Sequence, residues 1–138
     1  MFHTSSDKPH VLVVDDDFST REVVSLLLDG EGFRVTTADD GTAALEQLRQ
    51  GQRPGLILLD LMMPRMDGWQ FRQAQLRDAR LADIPVIVCS ASRRISRGTD
   101  GLRALAHLDK PVDPAELIAL VQRCYPHVAD SQEDEQPK

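Results

Sequence analysis

Short apolar runs alternate along this chain with longer stretches in which apolar residues recur at helical spacing, and that alternation predicts a parallel sheet covered by helices. The first run, Val11-Leu12-Val13-Val14, is continuous and β-branched, as suits a strand buried on both faces. Three aspartates end it. Ser19 is placed to cap the helix that follows, and Val23, Val24, Leu26, Leu27 and Leu28 give that helix a broad apolar stripe, closed by Gly30 and Gly32. A second run, Phe33 to Thr37, passes through the turn and cap Asp39-Asp40-Gly41 into a helix over Thr42 to Arg49. The third run, Leu56-Ile57-Leu58-Leu59, ends at Asp60 and gives way to a methionine-rich loop and a helix starting near Trp69.

Pro85 to Ser90 form the fourth run, after which the pattern weakens. Gly98 and Gly101 lie where a regular helix avoids glycine, so a short or broken helix is expected over residues 93–105. A brief run, Ala106-His107-Leu108, precedes Asp109-Lys110-Pro111. Asp113-Pro114 then opens a last helix with apolar Leu117, Ile118, Leu120 and Val121 and proline at its first position. Five strand-helix units result. The expected architecture is an α/β, flavodoxin-like (βα)5 doubly wound parallel sheet with strand order 2-1-3-4-5. One domain over 10–124 is expected, between a flexible N-terminal tail, 1–9, and an acidic, disordered C-terminal tail, 125–138, too polar to offset the entropy of ordering it.

With 138 residues, 41% of them hydrophobic, the chain has the size of one globular domain with a substantial core. A formal net charge of -6 argues against general affinity for nucleic acid or anionic membrane. Cys89 and Cys124 show no metal or redox spacing and fit a reducing compartment. No run approaches the roughly 20 apolar residues that cross a bilayer, and a cytoplasmic location is expected. The arginines Arg93, Arg94, Arg97 and Arg103 read as a solvated face.

In an open parallel sheet, functional groups collect at the carboxyl ends of the strands. Asp15 and Asp16 follow the first strand here, Asp60 ends the third, Ser90 ends the fourth, and Lys110 lies just past the fifth. Two unit charges about 4 Å apart repel by roughly 4 kcal/mol at an effective dielectric near 20, so three clustered carboxylates call for neutralisation. A hard divalent cation such as Mg²⁺ with oxygen ligands, and the ammonium of Lys110, can supply it. Such a site suits phosphoryl transfer. Asp60 is the best nucleophile candidate, since it stands alone while Asp15 and Asp16 are adjacent and better placed to chelate. The Ser90 hydroxyl can hydrogen-bond a phosphoryl oxygen. For Asp17, helix capping outweighs metal ligation.

The segments VLVVDDD (11–17), LILLDLMMPRMDG (56–68), PVIVCSAS (85–92) and DKP (109–111) together resemble the response regulator receiver domain of two-component signalling, of the single-domain type. ADDGTAAL (38–45) adds to the likeness. The resemblance implies that Asp60 is the phosphoacceptor, that Asp16, Asp60 and the backbone carbonyl of Met62 ligate Mg²⁺ with Asp15 acting largely through water, and that Ser90 and Lys110 contact the phosphoryl group. It implies a histidine kinase or phosphotransfer protein as donor and signalling to a downstream protein by contact, with homodimerisation left open. Catalysis is then limited to the domain's own phosphorylation and dephosphorylation.

His107 occupies the position where the family often has a switching aromatic, and an imidazole there can respond to pH or make a hydrogen bond that phenylalanine cannot. Two other readings stand beside this one. The irregular segment 93–105 suggests a receiver-like binding module that works without phosphorylation. The aspartyl nucleophile suggests a Mg²⁺-dependent phosphatase, although such an enzyme wants a second acid where Met62 stands.

Overall fold

The computed structural model describes residues 8–91 and 102–125. The elements in chain order are β1 (His10–Val14), α1 (Phe18–Gly30), β2 (Arg34–Ala38), α2 (Gly41–Arg49), β3 (Leu56–Asp60), α3 (Gly68–Arg77), β4 (Val86–Ser90), β5 (Ala106–Asp109) and α4 (Pro114–Cys124). All five strands are parallel, in the order β2-β1-β3-β4-β5, as the alternation of runs predicts.

The continuous apolar runs follow from what lies on each side of the sheet. Alternate residues Leu12, Val14, Ile57, Leu59, Val86 and Val88 face one core, shared with Ala44, Leu45 and Leu48 of α2 and Phe71 of α3. The intervening Val11, Val13, Leu56, Leu58, Ile87 and Cys89 face a second core, shared with Val24 and Leu28 of α1 and Leu117 and Val121 of α4. A strand with helices on both faces has no polar side, and each fully buried aliphatic side chain contributes about 1.5–3 kcal/mol of transfer free energy. Among the described residues no helix is long and apolar enough to cross a membrane.

Three expectations change. Asp17, not Ser19, caps α1: its carboxylate accepts from Thr20 N at 2.8 Å and Thr20 Oγ1 at 2.6 Å, which places Ser19 inside the first turn. The α1 stripe is narrower than its composition suggests, because Val24 and Leu28 are buried while Val23 is 53% and Leu26 69% exposed. Tyr125, counted with the tail, belongs to the core. Its ring packs on Phe33 at 5.7 Å between centroids, and its hydroxyl accepts from His10 N at 2.9 Å. Of the expected N-terminal tail, Lys8 and Pro9 are described, and Pro9 O accepts from Arg34 N at 2.7 Å; the rest of both tails lies outside the described residues, as do Arg93, Arg94, Arg97, Gly98 and Gly101 of the expected broken helix.

Candidate functional site

Register brings the polar residues of the strand ends together. Val14 of β1 pairs with Leu59 of β3, so Asp15 and Asp60 emerge side by side, and Asp60 in turn pairs with Cys89, and Ser90 with Asp109. Asp15, Asp16 and Asp60 each offer a carboxylate oxygen within 4.8 Å of the others. Asp15 and Asp60 are buried, and Asp16 is exposed at the mouth. Lys110, delivered from β5, stands 2.6 Å from Asp15 Oδ2 and 3.5 Å from Asp60 Oδ1. The peptide bond between Lys110 and Pro111 is cis.

The remaining bonds fix Asp15 more firmly than Asp60. Asp15 Oδ1 accepts from Asp17 N at 2.9 Å, and its backbone carbonyl accepts from Arg21 Nη1 at 2.7 Å. Among the described residues Asp60 Oδ1 accepts one long bond, 3.3 Å, from Met62 N. Burial, followed by the charge on Asp15, pushes the Asp60 carboxyl up to about 6, against the pull of Lys110. For Lys110, burial alone lowers the ammonium, but the bond to Asp15 and the charges of Asp15 and Asp60 outweigh it and hold the group above its ordinary value. Asp17 is held below the ordinary carboxylate range by its bonds to Thr20, as befits a cap. A cavity under the carboxylates, lined by Val24, Leu58, Cys89 and Leu117 among others, measures only ≈ 10 Å³, space for about one water.

The loop after Asp60 is braced from several sides. Gly68 N donates to Leu61 O at 3.0 Å, and a Cβ at Gly68 would lie 2.5 Å from Asp60 O and 2.7 Å from Leu61 Cα, so only glycine lets α3 start this close to β3. Asp67 and Gln70 form a capping box. Arg65, in the left-handed region at φ 65, pairs with the buried Asp40 that caps α2, and Gly41 N donates to Met66 O at 3.0 Å. Of the loop methionines Met63 is buried and Met62 exposed.

At the other edge, Ser90 is fully buried, and its Oγ lies 3.2 Å from His107 Nε2, while His107 Nδ1 lies 3.5 Å from Asp109 Oδ1. Cys89 is a core thiol that burial pushes up to about 12. Asp40 caps α2 as the sequence predicts, but its pairing with Arg65, and a site role for Arg65 or Asp109, were not read from the sequence. Spacing gave a signal for Asp109 alone, because residues two apart on a strand share a face with His107. The Asp40–Arg65 pair joins residues 25 apart and left no local trace.

The three carboxylates offer only oxygen donors and sit beside an ammonium, a set that fits a hard divalent cation such as Mg²⁺. The family profile for the response regulator receiver domain matches residues 11–122. The chain is 38% identical over 116 residues to the DNA-binding dual master transcriptional regulator RpaA of Synechocystis sp., covering 83% of this chain and 48% of that protein, about half its length. It is 38% identical over 118 residues to the two-component response regulator ORR5 of Oryza sativa subsp. japonica, covering 83% of this chain and 87% of that one. Among solved structures it resembles the Vibrio cholerae chemotaxis protein CheY4 (TM-score 0.77, 31% identity, 84% of this chain and 98% of that chain). A response regulator receiver protein from Pseudomonas putida gives the same TM-score, 0.77, at 31% identity over 84% of this chain and 97% of that one.

Proposed function

This chain belongs to the response regulator receiver domain family, and from that premise we propose that it takes a phosphoryl group on Asp60 from a histidine kinase or phosphotransfer protein and signals through protein contacts. The observation that carries the reading is the placement of Lys110 between Asp15 and Asp60, with Asp16 at the mouth. Domains of this family are signalling modules rather than metabolic enzymes.

In the proposed step an Oδ of Asp60 attacks phosphorus in line with the leaving group. The new bond makes an acyl phosphate, and the bond from phosphorus to the donor breaks, its electron pair leaving with the donor atom. Asp60 must be ionised to attack, and with its carboxyl near 6 it is largely so at neutral pH. In this reading Lys110 keeps a positive charge within reach of the transferring group, and Ser90 supplies the hydroxyl that donates to a phosphoryl oxygen. Asp15, Asp16, Asp60 and the carbonyl of Met62 are the groups that would hold Mg²⁺, which when bound supplies neutralisation of charge between the carboxylates and phosphate oxygens. Hydrolysis of the acyl phosphate by water returns the carboxylate, so the domain turns over only its own modification.

The net charge of -6 and the free thiols of Cys89 and Cys124 support a cytoplasmic module whose partners are proteins rather than nucleic acid. The test is the intact mass of the protein after incubation with Mg²⁺ and acetyl phosphate, beside a metal-free control. Gain of one labile phosphoryl mass only with Mg²⁺ supports the reading. Steady release of phosphate from an unrelated phosphate ester would replace it with the phosphatase reading.

A further inference from the structure

Arg65 lies in the loop between Asp60 and α3 with its backbone in the left-handed region, φ 65, where a side chain costs energy that glycine does not. What arginine adds there is its guanidinium. Nε donates to Oδ2 of Asp40, the residue that caps α2. Asp40 is buried, and its Oδ1 accepts from Ala43 N at 2.8 Å. That bond, and Arg65 after it, hold the Asp40 carboxyl below the ordinary carboxylate range against the effect of burial. A buried, ionised helix cap is a fixed point, and Arg65 ties the loop to it. Beside the pair, Gly41 N donates to Met66 O at 3.0 Å, and a Cβ at Gly41 would lie 2.9 Å from that oxygen, so the start of α2 and the loop are in direct contact.

At its other end the loop is held to α3, where Leu61 O accepts from Gly68 N at 3.0 Å and the Leu61 side chain is fully buried. Between the two anchors lie Met62, Met63 and Pro64. Met63 is buried and Pro64 has a fixed φ, which leaves little freedom to the peptide unit that follows Met62. Resting on the Mg²⁺ part of the receiver reading, in which the Met62 carbonyl is a ligand, we infer that Arg65, paired with Asp40, is a positioning residue that uses the start of α2 to preset the Met62 carbonyl for the cation. Groups that orient a ligand without touching the metal contribute to its affinity. The pair acts on metal affinity and not on the attack by Asp60.

The sign separates positioning from simple charge. Arg65 carries a positive charge on the same loop as the Met62 carbonyl, so the loss of that charge alone strengthens Mg²⁺ binding. Positioning gives the opposite result. Arg65→Ala and Arg65→Gly are both expected to weaken Mg²⁺ binding by about three- to tenfold, the scale of one net hydrogen bond. Glycine accepts the positive φ, so a loss shared by both variants belongs to the guanidinium and not to the backbone. Asp40→Asn keeps an oxygen to cap α2 but turns an amide NH₂ toward the guanidinium. It is expected to weaken binding by itself and to add less than about twofold in an Arg65→Ala background, since each variant breaks the same pair.

The experiment measures Mg²⁺ affinity by calorimetry without phosphodonor, and then follows acetyl phosphate labelling across Mg²⁺ concentrations. The inference predicts weaker binding in both Arg65 variants, labelling curves shifted to higher Mg²⁺ by the same factor, and maximal labelling rates within about twofold of wild type. A role in fold stability alone lowers the urea midpoint and leaves Mg²⁺ affinity where it was. Unchanged or tighter Mg²⁺ binding by Arg65→Gly overturns the inference, as does full additivity of Arg65→Ala with Asp40→Asn, or a wild type that binds no Mg²⁺. A wild type that binds Mg²⁺, shows these variant losses and takes no phosphoryl group fails the phosphoacceptor reading and leaves the positioning role standing.

Discussion

Lys110 holds Asp15 at 2.6 Å and Asp60 at 3.5 Å, so the ammonium is shared unequally between the two buried carboxylates. The nearer partner is chemically occupied, and the farther one keeps a carboxyl pushed up to about 6 and a weak bond to Met62 N. That division separates a fixed charge partner from a carboxylate with an oxygen available to attack.

Replacing Lys110 by alanine removes the ammonium that faces Asp15 and Asp60, and among the described residues no other side-chain cation pairs with them in metal-free buffer. At neutral pH this should cost about 1–3 kcal/mol of folding stability, read as a lower urea midpoint at unchanged slope. Added Mg²⁺ should recover part of the loss. Labelling by acetyl phosphate persists in this variant, because Lys110 assists Asp60 without itself attacking.

The pH dependence of stability has a definite sign. Asp60 titrates higher in the folded chain than in the unfolded one, so its protonation contributes stability that is fully present below about 3.8 and lost as pH rises through about 6. The displacement sets an upper bound of about 3 kcal/mol, which the solvated mouth of the site reduces. Asp60→Asn lacks this titration. In metal-free buffer it should gain on the wild type by about 1–2 kcal/mol as pH rises from 4 to 7, measured by chemical denaturation at each pH.

Gly68→Ala places a methyl group against Asp60 O and Leu61 Cα, backbone atoms that cannot rotate away. The expected cost is about 1–3 kcal/mol, with a lower melting temperature and slower labelling, because relief of the clash moves the loop after Asp60.

Arg72 is buried, with no carboxylate partner among the described residues. Its guanidinium donates to Leu102 O at 2.8 Å, Gln75 Oε1 at 2.7 Å, Ile84 O at 3.3 Å and Arg103 O at 3.2 Å. Arg72→Met should destabilise the fold by about 2–4 kcal/mol, since it strands these acceptors, and hydrogen exchange should rise first near residues 102–105.

The strand runs, the parallel order and the polar strand ends were legible because each is written locally: a sheet buried on both faces has no polar alternation to obscure it, and Asp60, Ser90 and Lys110 end or follow their own runs. Asp113-Pro114 likewise named the start of α4, where Asp113 accepts from Glu116 N at 2.9 Å. What was not legible depends on partners distant in sequence. Tyr125 is held by His10, 115 residues away, and looked like tail. Arg72 and Gln75 on α3 carry no local signal of burial, yet both are buried because they close the backbone around Leu81, Ile84 and Leu102. Ser19 lost the α1 cap to Asp17 by two positions, a choice between two good caps that only geometry decides.

The most direct test of Asp60 as the acceptor is to label the protein with acetyl phosphate and Mg²⁺, reduce the acyl phosphate with borohydride, and locate the altered residue by peptide mass. The predicted result is a single changed aspartate, Asp60, with no labelling of Asp60→Asn. A phosphoryl group found on Asp15, Asp16 or any other residue, or undiminished labelling of Asp60→Asn, would contradict it.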